Sequence, residues 1–541
     1  MHLGGTGSRR SALASPSNGA DATERVPPTI VARALLGLTI VVLAAAASCG
    51  SEGRGAAGAP AAGLPPLHVA DRRIQDSLGR NMLLRGVAVI GLGDYFQGNP
   101  GVPSSAGVTE HDLDEIAALG MSSIRLIVHW SALEPERGVR SDDYLARVRE
   151  VVGWARDRGI YVILDMHQDA WGKYVNTAVD QTCPPPFSPN QGWDGAPEWA
   201  TFTDGKSRCR FMVRELAPAV MNAWESFWND RDGIEQELID TWAWLAREFR
   251  DDTTVAGYDL LNEPNWGLDY DYTIQIRKPA FHRRALDAIR AVERADFHKP
   301  VFFEPSAVWS AFPIEKAVPF TGDDQIVYAP HIYVESISAD IGLFGKPVIP
   351  LRFGFEEAQR EADAYRTPFW SGEWGWFGAP DGVYATRYAA LEDEFQVGGA
   401  WWSWRGACGD PHGVSWPSGD HGDANGNLLL SRCDDPANPG GVEVGLVAAN
   451  ARVLSRPYPR RFPGTITFTS DPASGVLTLD GTVNASADAS PFEIWIPGSA
   501  SPALTLDGLA QQSLDQVPGG WILLASPTGS AVHLTARAAG E

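Results

Sequence analysis

The chain has 541 residues, a formal charge of −23 and 44% hydrophobic residues, the make-up of a soluble globular protein with room for more than one folding unit. So acidic a balance argues against nucleic acid, whose phosphates demand a basic surface, and against a purely electrostatic hold on anionic lipid. The 20 Trp suit stacking on flat apolar faces such as sugar rings, although most Trp in any protein simply fill cores.

In chain order, residues 1–49 read as a secretion signal. The apolar run 34–48 follows Arg33 and is short and rich in small residues, unlike a membrane span. Ala46-Ala47-Ser48-Cys49 resembles a bacterial lipoprotein cleavage box, although such boxes usually begin with Leu; Cys49 would then be lipidated and tether the chain to a membrane. Ordinary signal cleavage nearby is the alternative. Both readings place the mature protein outside the cytoplasm, at the bacterial cell surface or secreted, and a monomer is expected. Export permits disulfides. The remaining cysteines pair by proximity as Cys183–Cys209 and Cys408–Cys433, each closing a loop worth on the order of 3 kcal/mol. Residues 50–66 are small and Gly-rich and read as a flexible linker.

From Leu67 the chain alternates between short β-rich runs and amphipathic segments. Expected strands cover 83–90, 122–128, 160–166, 255–262, 300–304, 325–333, 367–373 and 398–404. Helical patterns lie between them, among others at 143–159, 278–295 and 381–397. The strands are near-continuous apolar runs, as when both faces are covered. Eight such units give the expected fold class, an α/β (β/α)₈ TIM barrel, over residues 67–455. Two long excursions, 167–217 and 405–440, follow the third and eighth strands, where barrel enzymes build their sites. After residue 455, short strands between Gly, Ser, Asp and Pro turns predict a small all-β sandwich over 456–541. It carries Trp495 and Trp521, which would suit a carbohydrate-binding module, but the expected role is to dock on the barrel and extend one wall of the site.

Two acids stand at predicted strand ends. Asn262-Glu263-Pro264 closes strand four, and Glu373 lies in Trp370-Ser371-Gly372-Glu373-Trp374-Gly375 at the end of strand seven. A Glu at the C-terminal end of a barrel strand points into the site. Retaining glycosidases need two carboxylates about 5–5.5 Å apart. A loop acid alone is more often solvated; two at these ends are a pair. Arg125 on strand two is placed to keep a nucleophile ionised. Tyr333 and His331 end strand six and can support the carboxylates. His167, Asp169 and His129 suit sugar hydroxyls, as does Asn262, and Trp402 and Trp404 offer a stacking platform. The acids and imidazoles are spread over different strands, and neither a metal nor a cofactor is expected.

These segments carry a family resemblance. Residues 125–130 (RLIVHW), DLLNEP, HIY, SGEWG and WWSW resemble glycoside hydrolase family 5. Within it, DMHQD, GAPEWA, AWESFW and GYDLLNEPNWG resemble the endoglycoceramidases and related glycosylceramidases. The likeness spans roughly residues 70–460. It implies metal-free retaining cleavage between glycan and ceramide, with Glu263 as acid/base, Glu373 as nucleophile, and Arg125, His167, Asp169, Asn262, His331, Tyr333 and Trp402 around them. One stretch departs from the pattern: Arg85-Gly86-Val87-Ala88-Val89-Ile90-Gly91 lacks the Asn and Lys common there. That turns the expectation from a glucose-first substrate towards a galactosylceramide type or another lipid glycoside. The apolar run Ile341–Leu351 either lines an acyl slot or touches a membrane at the catalytic mouth, or packs against Phe353 and the next helix. An enzyme on soluble glycans, such as a β-glucanase or exo-β-glycosidase, is the alternative. A non-catalytic carbohydrate-binding surface lipoprotein is a third reading, and both carboxylates speak against it.

Overall fold

The computed structural model describes residues 63–93, 106–190, 193–336, 349–375, 381–408, 426–432, 438, 440–483 and 490–538. The expectations that fall outside them are the signal and Cys49, most of the linker 50–66, most of the apolar run after strand six, and much of the excursion 405–440 with Cys433.

All eight expected strands are present. They are Arg85–Val89, Ser123–Val128, Tyr161–Met166, Val255–Asp259, Val301–Phe303, Ile326–Tyr328, Ser371–Trp374 and Gly399–Trp401, called strands one to eight below. They form one parallel eight-stranded sheet. A parallel bridge from Tyr328 to Phe369 joins strand six to the segment entering strand seven and closes the ring. The helices between strands show one apolar stripe each. In Asp142–Asp157 the buried residues are Leu145, Val148, Val151, Val152 and Ala155, a three-and-four spacing that faces the barrel. Ser141 caps this helix by accepting the N–H of Tyr144 at 3.2 Å, with Asp142 and Asp143 in the positive first turn.

Inward-facing residues stack in layers. Tyr161, Ile163, Ala256, Phe302, Val327, Trp370 and Ala400 form an apolar plug at the N-terminal end. By the period of two along a strand, Asp165 follows Ile163 and Glu304 follows Phe302 on the same inner face, one layer nearer the mouth. The barrel is therefore greasy at its base and charged at its top.

The sandwich does not begin at residue 456. Leu67–Ala70, Arg73–Asp76 and Asn81–Met82 join Tyr458–Phe462, Phe492–Pro497, Gly520–Pro527 and Leu509–Val517 in a seven-stranded sheet. This sheet packs on a four-stranded one through Phe462, Phe468, Leu477, Leu479 and Ile494. The first hairpin was expected in the barrel. Instead it serves both bodies, with Leu67, Val69, Ile74 and Met82 also resting on the apolar plug.

Nor does the sandwich wall the site. Tyr458 donates to the Gly120 carbonyl at 3.0 Å, and the Trp495 indole N–H donates to Ser455 at 2.9 Å. Gly120 precedes strand two, so the docking face is the N-terminal end of the barrel, opposite the strand ends that carry the carboxylates. A side chain at Gly120 would meet the ring of Trp495 at 2.1 Å. The residue is glycine because the sandwich seats there. The expected Cys183–Cys209 bond is formed, with Cα atoms 5.7 Å apart. Cys408 is also disulfide-bonded.

Candidate active site

Strand four ends its ladder at Asp259, yet the backbone stays tied on both sides: Leu260 donates to Phe302 (3.1 Å) and Asn262 to Met166 (3.0 Å). The next residue, Glu263, turns out of the sheet with φ of +37°, a region a non-glycine residue occupies only when its surroundings hold it there. Here the hold is visible. Glu304 accepts the Glu263 backbone N–H at 2.7 Å, and Gln168 donates to the carbonyls of Asn262 (2.7 Å) and Glu263 (3.2 Å).

Opposite, Glu373 is buried beside Arg125, whose Nη1 donates to Oε1 at 2.6 Å, and Tyr333, whose hydroxyl donates to Oε2 at 3.0 Å. His331 bridges the two acids. Its Nδ1 is 2.9 Å from Glu263 Oε1 and 3.3 Å from Glu373 Oε2, and its Nε2 is 3.2 Å from Glu304. Ser310 donates to the same Glu263 oxygen at 2.7 Å. One oxygen of Glu263 and one of Glu373 lie within 4.8 Å of each other and of a His331 nitrogen. Oxygens this close agree with the short separation of retaining enzymes better than with the wider gap of inverting ones.

Arg125 is the hub beneath. Besides Glu373 it reaches Asp259 (3.0 Å), Asp165 (2.9 Å), Glu304 (2.8 Å) and Asn262 (3.0 Å). Burial works against its charge, but four surrounding carboxylates outweigh it and raise its pKa well above the usual. His331 is likewise held cationic by Glu304 and Glu373 against its burial. Burial, together with the Glu304 charge, pushes Asp259 well up. So several acids share few cations in a buried layer, and protons are retained where charge cannot be balanced.

The two central acids shift in opposite directions. Burial, with the charge of Glu263 beside it, lifts Glu373 although His331 and Arg125 pull it down. Burial also acts on Glu263, but the His331 hydrogen bond and charge prevail and lower it.

The rim completes the arrangement. His167 is clasped by Asp165 (2.7 Å) and Asp169 (3.1 Å). Burial opposes its charge, yet these two carboxylates push it up to about 10. Trp402 stacks on His167 with ring centroids 5.3 Å apart and planes 13° from parallel. It also belongs to an apolar group with Ala88, Ile90, Ile127, Trp193 and Tyr333. The stretch that lacks the polar pair at strand one is thus a hydrophobic wall.

Two expected residues are not brought into the cluster. Trp404 turns to the helix layer, packs among the strand–helix core and donates to Asp112 at 2.9 Å. Its ring is no platform: the backbone still bonds strand one, from the Trp404 N–H to the Ala88 carbonyl at 2.8 Å, but the side chain lies in the helix layer. His129 is wholly buried behind His167, with its ring edge-on at 6.0 Å. Neither of its ring nitrogens has a hydrogen-bond partner among the described residues, and burial lowers its pKa.

Sequence reading missed Glu304, Asp259, Ser310 and Arg214. The inward period of strand five was a signal for Glu304. Ser310 and Arg214, which bonds Asp169 at 2.5 Å, sit in single 3-10 turns of the connections and gave none.

The family model described as Cellulase (glycosyl hydrolase family 5) matches residues 96–407, more than half of the chain. Endoglycoceramidase I of Rhodococcus hoagii (strain 103S) is 30% identical over 296 residues, 51% of this chain and 54% of that protein. An endoglycoceramidase of Cyanea nozakii is 28% identical over 276 residues, 44% of this chain and 50% of that one. The matches thus span about half the length of these curated relatives. The crystal structure of an endogalactoceramidase is 41% identical with a TM-score of 0.78, covering 88% of this chain and 100% of the other. Endo-glycoceramidase II from Rhodococcus sp., in its ganglioside GM3 complex, shares the fold at 24% identity and a TM-score of 0.67, covering 87% and 100% of the two chains. With two strand-end glutamates facing each other across His331 and a family model matched over more than half of its length, the chain belongs to glycosyl hydrolase family 5.

Proposed function

We propose that this chain is a retaining β-glycosidase that cleaves the bond between glycan and ceramide, with galactose at the cleavage subsite. The observation that carries it is the pair Glu263 and Glu373, joined through His331 and with oxygens within 4.8 Å. In the first step a Glu373 oxygen attacks the anomeric carbon. The C1–O bond breaks, and the Glu263 proton passes to the departing oxygen to give the ceramide hydroxyl. In the second step Glu263, now a carboxylate, takes a proton from water, whose oxygen displaces Glu373 and frees the sugar with its configuration kept. Arg125 and Tyr333 hold the nucleophile's two oxygens, so its charge develops and disappears against fixed donors.

The directions that the protein's own groups impose on Glu263 and Glu373 oppose this order, since His331 keeps Glu263 low while burial keeps Glu373 high. The pair shares protons, and the productive arrangement has the proton on Glu263. A glycosidic oxygen seated at Glu263 can only accept a hydrogen bond. Bound substrate therefore draws the proton to that side.

Galactose is supported by the hydrophobic wall at strand one and by the endogalactoceramidase, at 41% identity. The C3–C4–C5 hydrogens of galactose form one apolar face that suits an aromatic surface. Ceramide as the leaving group is supported by the endoglycoceramidases among the relatives. Export and tethering at Cys49 complete the reading. They rest on the sequence of residues 34–49 and are checked by mass spectrometry of the mature N-terminus. The main test is product analysis after incubation with mixed glycosphingolipids in detergent, with Glu373→Gln as the blank. Intact glycan plus ceramide, absent with the variant, is the expected result. Turnover confined to soluble β-glucans or aryl glycosides would sink the lipid reading and keep the two glutamates.

A further inference from the structure

We propose that the disulfide-bonded hairpin in the excursion after strand three is a docking tip for a phosphate-bearing lipid surface. This rests on the glycolipid reading above. The tip is built from Ser188–Pro189 paired antiparallel with Cys209–Arg210, and the Cys183–Cys209 bond closes it. Around it large apolar side chains point to solvent: Phe187 is 43% exposed, Phe211 45%, Met212 68% and Val213 46%. Phe187 and Phe211 meet each other with ring centroids at 6.1 Å, so the tip holds a shape instead of folding its rings inward. Apolar groups gathered on one stapled element mark a contact surface.

Charge says what that surface fits. Lys206, Arg208 and Arg210 stand within seven residues of Met212, in a chain of net charge −23. Among the described residues none of the three forms an ion pair with a carboxylate. Arg208 and Arg210 donate only to backbone carbonyls, those of Asn176, Pro189 and Met212. Cations interleaved with exposed apolar residues match the interfacial zone of a bilayer, with phosphates above and acyl carbon below.

The tip is also continuous with the site. Arg214 follows Val213, bonds Asp169, lies over the Trp193 ring at 3.8 Å and is close enough to feel the charge of Glu263. Asn265, two residues after Glu263, donates to the Glu215 carbonyl at 3.1 Å. Leu268 and Ile314, on the loops after strands four and five, are 62% and 69% exposed at the same end of the barrel. A lipid surface meeting the tip therefore lies at the barrel end where the proposed scissile bond must arrive.

The test uses the full chain carrying Cys49→Ser, with a polarity-sensitive fluorophore on Met212→Cys and, separately, on Gln511→Cys in the sandwich. The probe is a vesicle of phosphatidylcholine with a minor fraction of phosphatidylglycerol. Expected are a blue shift and quenching by brominated acyl chains at position 212, not at 511. Adding Lys206→Ser should weaken the effect roughly fivefold, about the share of one cation near a charged membrane. No change at 212, or equal change at both positions, overturns the tip. Failure of glycolipid cleavage in detergent with the blue shift intact would instead sink the substrate reading and leave the tip standing.

Discussion

Glu304 holds the backbone of Glu263 with one oxygen, at 2.7 Å, and the guanidinium of Arg125 with the other, at 2.8 Å. Arg125 in turn holds Glu373. One buried carboxylate just after strand five thus sets both the strained turn at Glu263 and the cation beside Glu373, and His331 lies against it as well.

Glu304→Gln keeps the shape but can turn an N–H towards one of these donors. We expect kcat to fall by roughly 10²- to 10³-fold, in the range for lost electrostatic preorganisation, with KM little changed. Steady-state kinetics on a soluble aryl glycoside, beside a far-UV melting curve, check this. Loss of KM alone would remove Glu304 from the positioning role.

Glu263 and Glu373 separate by rescue. Glu373→Gln should lose activity on every substrate. Glu263→Gln should retain the first step on aryl glycosides whose leaving group needs no proton, and azide should restore turnover as a β-glycosyl azide. General-acid assistance contributes about 10²- to 10⁴-fold, which is the loss expected on the glycolipid. An α-azide product would exclude retention through Glu373.

The pH profile should move with His331. Its cation lowers Glu263 and pulls against the rise of Glu373. Its removal therefore lifts both. His331→Gln should shift both limbs of the kcat/KM profile to higher pH, and an unmoved alkaline limb would show that His331 does not govern the acid.

His167 makes a stability prediction. Its pKa is raised from 6.5 to about 10 by Asp165 and Asp169 in spite of burial. A raised folded-state value stabilises fully below the unfolded pKa and is lost as pH climbs through the folded one. His167→Gln should therefore cost on the order of a few kcal/mol near pH 6 and much less near pH 10, as read by urea titration at the two values.

Trp402 and Trp404 should divide. Trp404→Phe removes the bond to Asp112 and should cost about 1–2 kcal/mol of stability, with kcat/KM intact. Trp402→Ala should lower kcat/KM while melting changes less. Equal kinetic loss from both would return Trp404 to the site.

The sequence by itself determined the barrel, its strand order and the two glutamates. Parallel strands buried on both faces must be apolar runs, and Asn262-Glu263-Pro264 and Ser371-Gly372-Glu373 break such runs with acids at their ends. Only the tertiary structure decided which polar residues converge. Asp165, Asp259 and Glu304 lie on three strands, and nothing local says that all meet Arg125. Trp402 and Trp404 share a parity in sequence, yet Trp402 faces the site while Trp404, its backbone N–H still bonded to the Ala88 carbonyl of strand one at 2.8 Å, packs in the helix-side core. The pairing of Asn81–Met82 with Arg461 and Phe462 joins segments hundreds of residues apart. Strand pairing is chosen by which edges folding brings together, and that choice leaves no mark in either segment alone.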